Sequence, residues 1–509
     1  MGGSGATAAV RPATVPASTE AAGRQWRELA LLWALGVAYA MLLSAVTVDA
    51  TPATARVFNE MLVRLLQGRF DISPATIGDE AILYHGHTYA YFGIFCALLR
   101  LPILLVGRID ADVTKASILV AAAVSLGARL LALNIAAQRV AGLSRPLRLI
   151  LFAAVAFGGE SIQFLRPSLF QEVCSWGAAL AAVFVLLAVA RLFGRARRPL
   201  RLYAGMALAA GLALLCRVSF GLGLYAALGL MLCVEAWRAR SGGGLAVLKA
   251  LAPAAAILVL FAGAAAWINA ARWDSPLTFV PFRNQAALVK HGEDRLQRLQ
   301  RYGELNLARL PFALQYYLAP VWVLPGADGG LLLQKTQLRL FDDVELPPSS
   351  LLLSDPAVCL LAGLGVCALG RRRALVPDLG LSAVGLAGLA SPIAVLLLAI
   401  SLSFRYRMDF YPALDFAACL GVSTLRPGAS RSLGRLFLAL AAAGAAVAFA
   451  SLWLYYFAPM GTALDLDLSR GWMSPIREMA DGRNPYVGHL LPDGRRSGAP
   501  AVLHRPLKS

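Results

Sequence analysis

Long apolar runs constrain this chain more than any other feature. A bilayer core about 30 Å thick needs about 20 apolar residues per helix, and runs of that kind recur from residue 28 to residue 457. A hydrophobic content of 58% with only 15% charged residues, and a mean hydropathy of +0.65, exceed what a soluble core requires. The formal net charge of +18 would suit nucleic acid, but its basic clusters lie in short loops between apolar runs, where they act as topology signals beside anionic headgroups. Nucleic acid is therefore excluded as a partner, and the lipid bilayer is included.

Counting on that basis, the sequence predicts an all-α polytopic protein with eleven spans: 28–49, 113–135, 147–165, 170–192, 203–217, 218–236, 248–270, 352–370, 379–403, 410–425 and 435–457. The segment 91–107 is apolar but short and contains Arg100 and Pro102. If it crossed, the clusters Arg139/Arg145/Arg148 and Arg191/Arg195/Arg197/Arg198/Arg201 would both fall outside, against the positive-inside rule. Taken as interfacial or re-entrant, it lets those clusters, and later Arg238/Arg240/Lys249, Arg371/Arg372/Arg373 and Arg426/Arg431/Arg435, share the cytoplasmic side. Residues 55–70 carry Val57, Met61, Leu62, Leu65 and Leu66 at helical spacing, as an interfacial amphipathic helix would.

The expected organisation is a disordered cytoplasmic tail over 1–27, a transmembrane domain over 28–457 and an extracytoplasmic tail over 458–509. Within the domain, 50–112 is a first extracytoplasmic loop and 271–351 a long one. The expected location is the inner (plasma) membrane, with the N-terminus cytoplasmic. Cys96, Cys174, Cys216, Cys233, Cys359, Cys367 and Cys419 sit in or beside apolar segments with no CxxC pair, as buried thiols acting as small hydrophobes do. No Walker A motif, no dinucleotide fingerprint and no internal repeat is present.

With the topology fixed, polar residues gather at the outer face in four places. The first loop, 69–93, holds Asp71, Asp79, Glu80, His85, His87 and Tyr91; the turn between the third and fourth spans holds Glu160, Arg166 and Glu172. Residues 272–284 add Asp274 and Arg283, and 403–416 add Arg405, Arg407, Asp409 and Asp415. Charges at membrane depth are costly and read as functional by default. Each has a plainer reading beside it: a solvated turn for Asp79 and Glu80, snorkelling anchors for Arg405 and Arg407, a structural ion pair for Glu172 and Asp415. His85-Gly86-His87 with Asp79 would make a metal site, but two histidines in a polar loop are ordinarily solvated, and no metal is assigned. In combination, a carboxylate can deprotonate a hydroxyl and arginines can hold a phosphate. These parts suit group transfer from a membrane-bound phosphate carrier.

The layout of an Asp-Glu pair in the first outer loop, interfacial helices after it and a second acidic outer turn resembles the GT-C integral-membrane glycosyltransferases. Asp79-Glu80 resembles the first-loop Asp-Glu of protein O-mannosyltransferases, and GHTYAYFGIFCALLRLP, RPSLFQEV, SPLTFVPFRNQ and FRYRMDFYP look like an uncharacterised bacterial branch of that superfamily. The resemblance implies a GT-C-like fold, a polyprenyl-phosphate-sugar donor, Asp79 as catalytic base with Glu80 competing, and Arg405 or Arg407 as phosphate contacts. Asp409, Arg166, Glu172, Tyr91, His87 and Arg283 complete the expected substrate-binding set. The region around Asp79 lacks the aromatic-His continuation of the O-mannosyltransferases, so a glycan or lipid acceptor stands beside a protein one. Assistance from a divalent cation, Mg or Mn, is left open. Two other functions compete: a non-enzymatic transporter or flippase for a lipid-linked or polysaccharide substrate, which would pair ionisable residues deep in several spans, and an O-antigen ligase or polymerase.

Overall fold

The computed structural model describes residues 19–47, 54–140, 143–164, 167–194, 199–240, 244–286, 293–319, 340–341, 349–371, 376–425 and 431–457. The chain is an all-α, multi-pass membrane protein. Its helices are α1 (Thr19–Val46), α2 (Val57–Leu66), α3 (Pro74–Ile77), α4 (Phe95–Leu98), α5 (Leu101–Leu105), α6 (Thr114–Ala137), α7 (Arg145–Ala156), α8 (Leu169–Phe193) and α9 (Leu202–Leu214). They continue with α10 (Val218–Ala239), α11 (Gly244–Trp273), α12 (Glu293–Tyr302), α13 (Leu310–Leu318), α14 (Leu351–Ser354), α15 (Pro356–Arg371), α16 (Leu379–Leu398), α17 (Tyr411–Val422) and α18 (Arg431–Phe457).

Each of the eleven expected spans coincides with a helix. Seven, within α1, α6, α8, α10, α11, α16 and α18, are long and apolar enough to cross a bilayer. The other four, α7, α9, α15 and α17, are shorter. The expected span 147–165 is not a continuous α-helix, since α7 ends at Ala156 and gives way to a 3-10 turn at Gly159–Phe164, and the span 410–425 is an α-helix only over α17, preceded by a 3-10 turn at Phe404–Phe410. Polar partners explain the shortening. Glu160 and Arg407, in those two turns, are tied into a buried charge network that a regular apolar helix would not place there. Segment 91–107 forms only the short α4 and α5, in keeping with a piece that does not cross. The first helix starts at Thr19, so 19–27, expected in the tail, are helical; residues 1–18 and 458–509 lie outside the described ones.

Ion pairs fix one end of the bundle. Glu28 of α1 holds Arg145 (2.6 Å) and Arg148 (3.1 Å) at the start of α7. Arg191 of α8 pairs with Glu235 of α10, which also accepts from Tyr203 of α9 at 2.8 Å. Arg238 of α10 meets Asp378, the N-cap of α16, at 2.6 Å. All of these residues belong to loops assigned by charge to one side. The first loop packs at the other end.

Three clusters of buried apolar residues hold the fold. The largest runs through the bundle and includes Leu130, Phe152, Phe184, Met206, Leu228, Leu361 and Phe416. Association of helices in lipid relies on close packing rather than on water exclusion, and α15 and α17 show it: a Cβ on Gly421 would stand 1.9 Å from the Leu361 carbonyl oxygen. The second cluster seats the first loop. Val57, Phe58, Met61 and Leu62 of α2 pack with Ile72, Ile77, Phe92, Cys96 and Val173, so α2 turns its apolar face onto protein.

Beneath these clusters lies a buried charge network. Arg129 of α6 donates to both oxygens of Asp415 (2.7 and 2.9 Å) and to Glu160, whose other oxygen accepts from Ser125. Arg407 reaches Asp355 and Ser354, while Asp355 accepts from Tyr411 (2.7 Å) and from the Gly159 N–H (2.8 Å). Every oxygen of Glu160, Asp355 and Asp415 thus has a donor, which is what makes such burial tolerable.

Candidate active site

The first wall of the site comes from the first loop. Ser73 caps α3 by accepting from the Ala75 N–H, and a 3-10 turn, Gly78–Glu80, follows. Then β1 (Ile82–Tyr84) pairs antiparallel with β2 (His87–Tyr89) around a two-residue turn, His85-Gly86, both at positive φ. Short alternation puts Ile82 and Thr88 inside and Leu83 and His87 outside. The chain returns beneath Glu80, whose Oε2 accepts from the Tyr91 hydroxyl at 3.0 Å and from Gln285 Nε2 at 3.1 Å. Gln285 is held by the backbone, since the Ala286 N–H donates to the Ala81 carbonyl at 2.7 Å. Burial, then the neighbouring Glu80 carboxylate, pushes the Tyr91 phenol well above its ordinary value, so Tyr91 remains a donor at neutral pH.

The second wall is the 3-10 turn Phe404–Phe410 and the α9–α10 junction. The Arg405 guanidinium lies 4.6 Å over the Phe170 ring and 5.6 Å from that of Tyr406. Arg217 lies 5.0 Å over Tyr406. It donates from Nε to Ser219 at 3.0 Å and pairs with Asp409 at 3.3 Å, and Ser219 also donates to Asp409. Burial raises the Asp409 carboxyl above its usual range, with Arg217 opposing.

The walls meet. Tyr91 packs on Phe92 (4.3 Å between ring centres), Phe92 on Phe170 (5.7 Å), and the Arg405 charge acts on the Tyr91 phenol. Their approach depends on Gly93: a Cβ there would stand 2.1 Å from the Leu215 carbonyl oxygen, which accepts from the Phe95 N–H at 2.9 Å. Only glycine lets the loop lie this close to the turn carrying Arg217.

Of the residues expected from sequence, Glu80, Tyr91, Arg405 and Asp409 come together here. Asp79 is beside Glu80 and exposed; Arg283 is exposed in the Phe282–Asn284 turn next to Gln285. His87 is exposed on β2, where its ring lies 6.2 Å from that of Tyr89. The structure places two of the expected residues away from these walls. Glu172 is fully buried and takes two Arg100 nitrogens at 2.7 Å, with Asn59 accepting from Arg100 Nε at 3.0 Å. Arg407 is only 2% exposed and belongs to the Asp355 network, two residues from Arg405 but facing different partners. Arg166 lies outside the described residues. His85 pairs with Asp274 at 3.1 Å in place of sharing a metal with His87, and among the described residues no group of three or more His, Cys, Asp or Glu is arranged to hold one.

Sequence reasoning missed Arg217, Ser219, Gln285, Tyr406 and Phe170. Arg217 carried a signal: it is a charge between two apolar runs, 203–217 and 218–236, where the costliness of charge at depth marks it.

No family model and no curated protein matches the chain. Solved structures of the Archaeoglobus fulgidus oligosaccharyltransferase are similar to it. The apo form is 12% identical with a TM-score of 0.47, over 82% of this chain and 56% of that one. AglB in complex with an inhibitory peptide and a dolichol-phosphate is 13% identical with a TM-score of 0.48, over 96% and 61%. The form tethered to an acceptor peptide containing the NVT sequon is 14% identical with a TM-score of 0.43, over 94% and 60%. This chain therefore spans about three fifths of the length of those it resembles.

Proposed function

We propose that the chain is a GT-C type glycosyltransferase that moves a sugar from a polyprenyl-phosphate donor to a glycan, lipid or protein acceptor on the extracytoplasmic face. One observation carries the reading: Glu80, fixed by Tyr91 and Gln285, shares a site with Arg405 and the Arg217–Asp409 pair at the end of the bundle opposite the basic loops. Glu80 takes the proton from an acceptor hydroxyl, whose oxygen attacks the anomeric carbon. The bond to the donor phosphate breaks and its electron pair leaves with the phosphate, where Arg405 and Arg217 stabilise the charge. Asp409 and Ser219 position Arg217.

Glu80 is favoured over Asp79 as the base because two donors hold its carboxylate, whereas Asp79 is exposed. The transporter reading draws on the deep Arg129–Glu160–Asp415 network. A donor on each carboxylate oxygen of Glu160 and Asp415, supplied by Arg129 and Ser125, favours a structural role for it.

The test is transfer of labelled sugar from polyprenyl-phosphate donors in membranes carrying the protein. Arg405→Gln is expected to raise the donor KM about tenfold, the value of one charge-assisted contact, and to change acceptor KM little. Unchanged donor KM would remove Arg405 from the phosphate site.

A further inference from the structure

Arg272, at the end of α11, is a buried guanidinium for which the described structure supplies no carboxylate. It is 5% exposed. Nη1 donates to the Phe92 carbonyl at 3.0 Å and the ring of Phe70 lies 5.5 Å away, but Nε is enclosed without an acceptor. The nearby acids are engaged elsewhere: Asp71 takes two bonds from Arg69, and Asp274 pairs with His85. Beside it, Trp273 is 3% exposed and its indole N–H likewise has no acceptor among the described residues. Trp273 packs 5.3 Å from the Tyr89 ring, and Tyr89 is near enough to Arg272 to feel its charge. A buried cation without a carboxylate is costly, and a second unsatisfied donor beside it adds to the cost. An anion there would relieve it.

The surroundings identify its source. Most of α11 turns outward along its apolar length, with Val259 72% and Trp267 65% exposed, and Trp267 packs against Phe70 at 5.4 Å, the partner of Arg272. Arg272 therefore lies one layer under a surface that faces lipid, at the depth where tryptophan and arginine meet headgroups.

We propose that Arg272 and Trp273 bind the phosphate of a lipid headgroup at the side of the bundle, in a site separate from the Glu80–Arg405 walls. The site touches them through one residue: the carbonyl of Phe92 takes Arg272, while its ring lies between Tyr91 and Phe170. Occupancy thus steadies the segment that aims Tyr91 at Glu80. The inference does not depend on sugar transfer.

Its test uses the full chain, delipidated in detergent, with retained lipid counted by native mass spectrometry. The probes are phosphatidylglycerol, a short polyprenyl phosphate and inorganic phosphate. Wild type is expected to retain one phosphatidylglycerol, with Arg272→Gln weakening it about tenfold and Trp273→Phe, which keeps the ring, about fivefold. If polyprenyl phosphate alone is retained and Arg272→Gln loses it, the bound lipid is the carrier. Retention by both variants at wild-type strength, binding of neither lipid by wild type, or equal binding of inorganic phosphate would each overturn the proposal.

Discussion

Glu80→Gln is expected to slow sugar transfer by about 10²- to 10⁴-fold, the usual contribution of a positioned general base, with the folded protein intact. The amide keeps an oxygen for the Tyr91 hydroxyl and nearly the volume of the acid, so the wall stays closed; what it loses is the ability to take a proton. Asp79→Asn alters an exposed side chain one residue away and is expected to cost less. Steady-state kcat for both variants in proteoliposomes separates the two. A Glu80→Gln enzyme as fast as wild type, beside an inactive Asp79→Asn, would exchange the roles.

The second large effect is on stability. Arg100→Met leaves Glu172 charged, fully buried and without the two bonds that satisfied it, a change of about 3–5 kcal/mol. Thermal unfolding in detergent is expected to fall steeply, and the first loop to detach, because the pair joins that loop to α8. The double variant Arg100→Met, Glu172→Leu removes both charges and is expected to recover part of the loss: Asn59 Nδ2 keeps its bonds to the Ile109 and Ala111 carbonyls, while Asn59 Oδ1 loses the Arg100 donor. An unchanged midpoint for Arg100→Met would mean that the pair is not sealed from water.

The helix positions were legible because lipid imposes a single rule on every span. The short run 91–107, with Arg100 and Pro102 inside it, likewise folds only as the short α4 and α5. What it could not supply was partners. Arg405 and Arg407 are alternate residues of one turn, and the sequence treats them alike; the fold gives one to Phe170 and Tyr406 and the other to Asp355. Glu172 reads as an outer acid until Arg100, 72 residues earlier, is seen to cover it. Ser219, which accepts from Arg217, meets Asp409 across 190 residues, a distance over which no local pattern reaches. The hairpin escaped notice because strands of three residues are too short for alternation to stand out among aromatic neighbours.

A structure of the protein with bound polyprenyl phosphate tests the central claim most directly, because it reports where the carrier's phosphate sits without requiring the sugar or acceptor to be known. The expected result is a phosphate within hydrogen-bond distance of the Arg405 or Arg217 guanidinium, on the side facing Glu80. A phosphate held only at the Arg145–Arg238 end of the bundle, or one separated from Glu80 by the Tyr91–Phe92 segment, would contradict it.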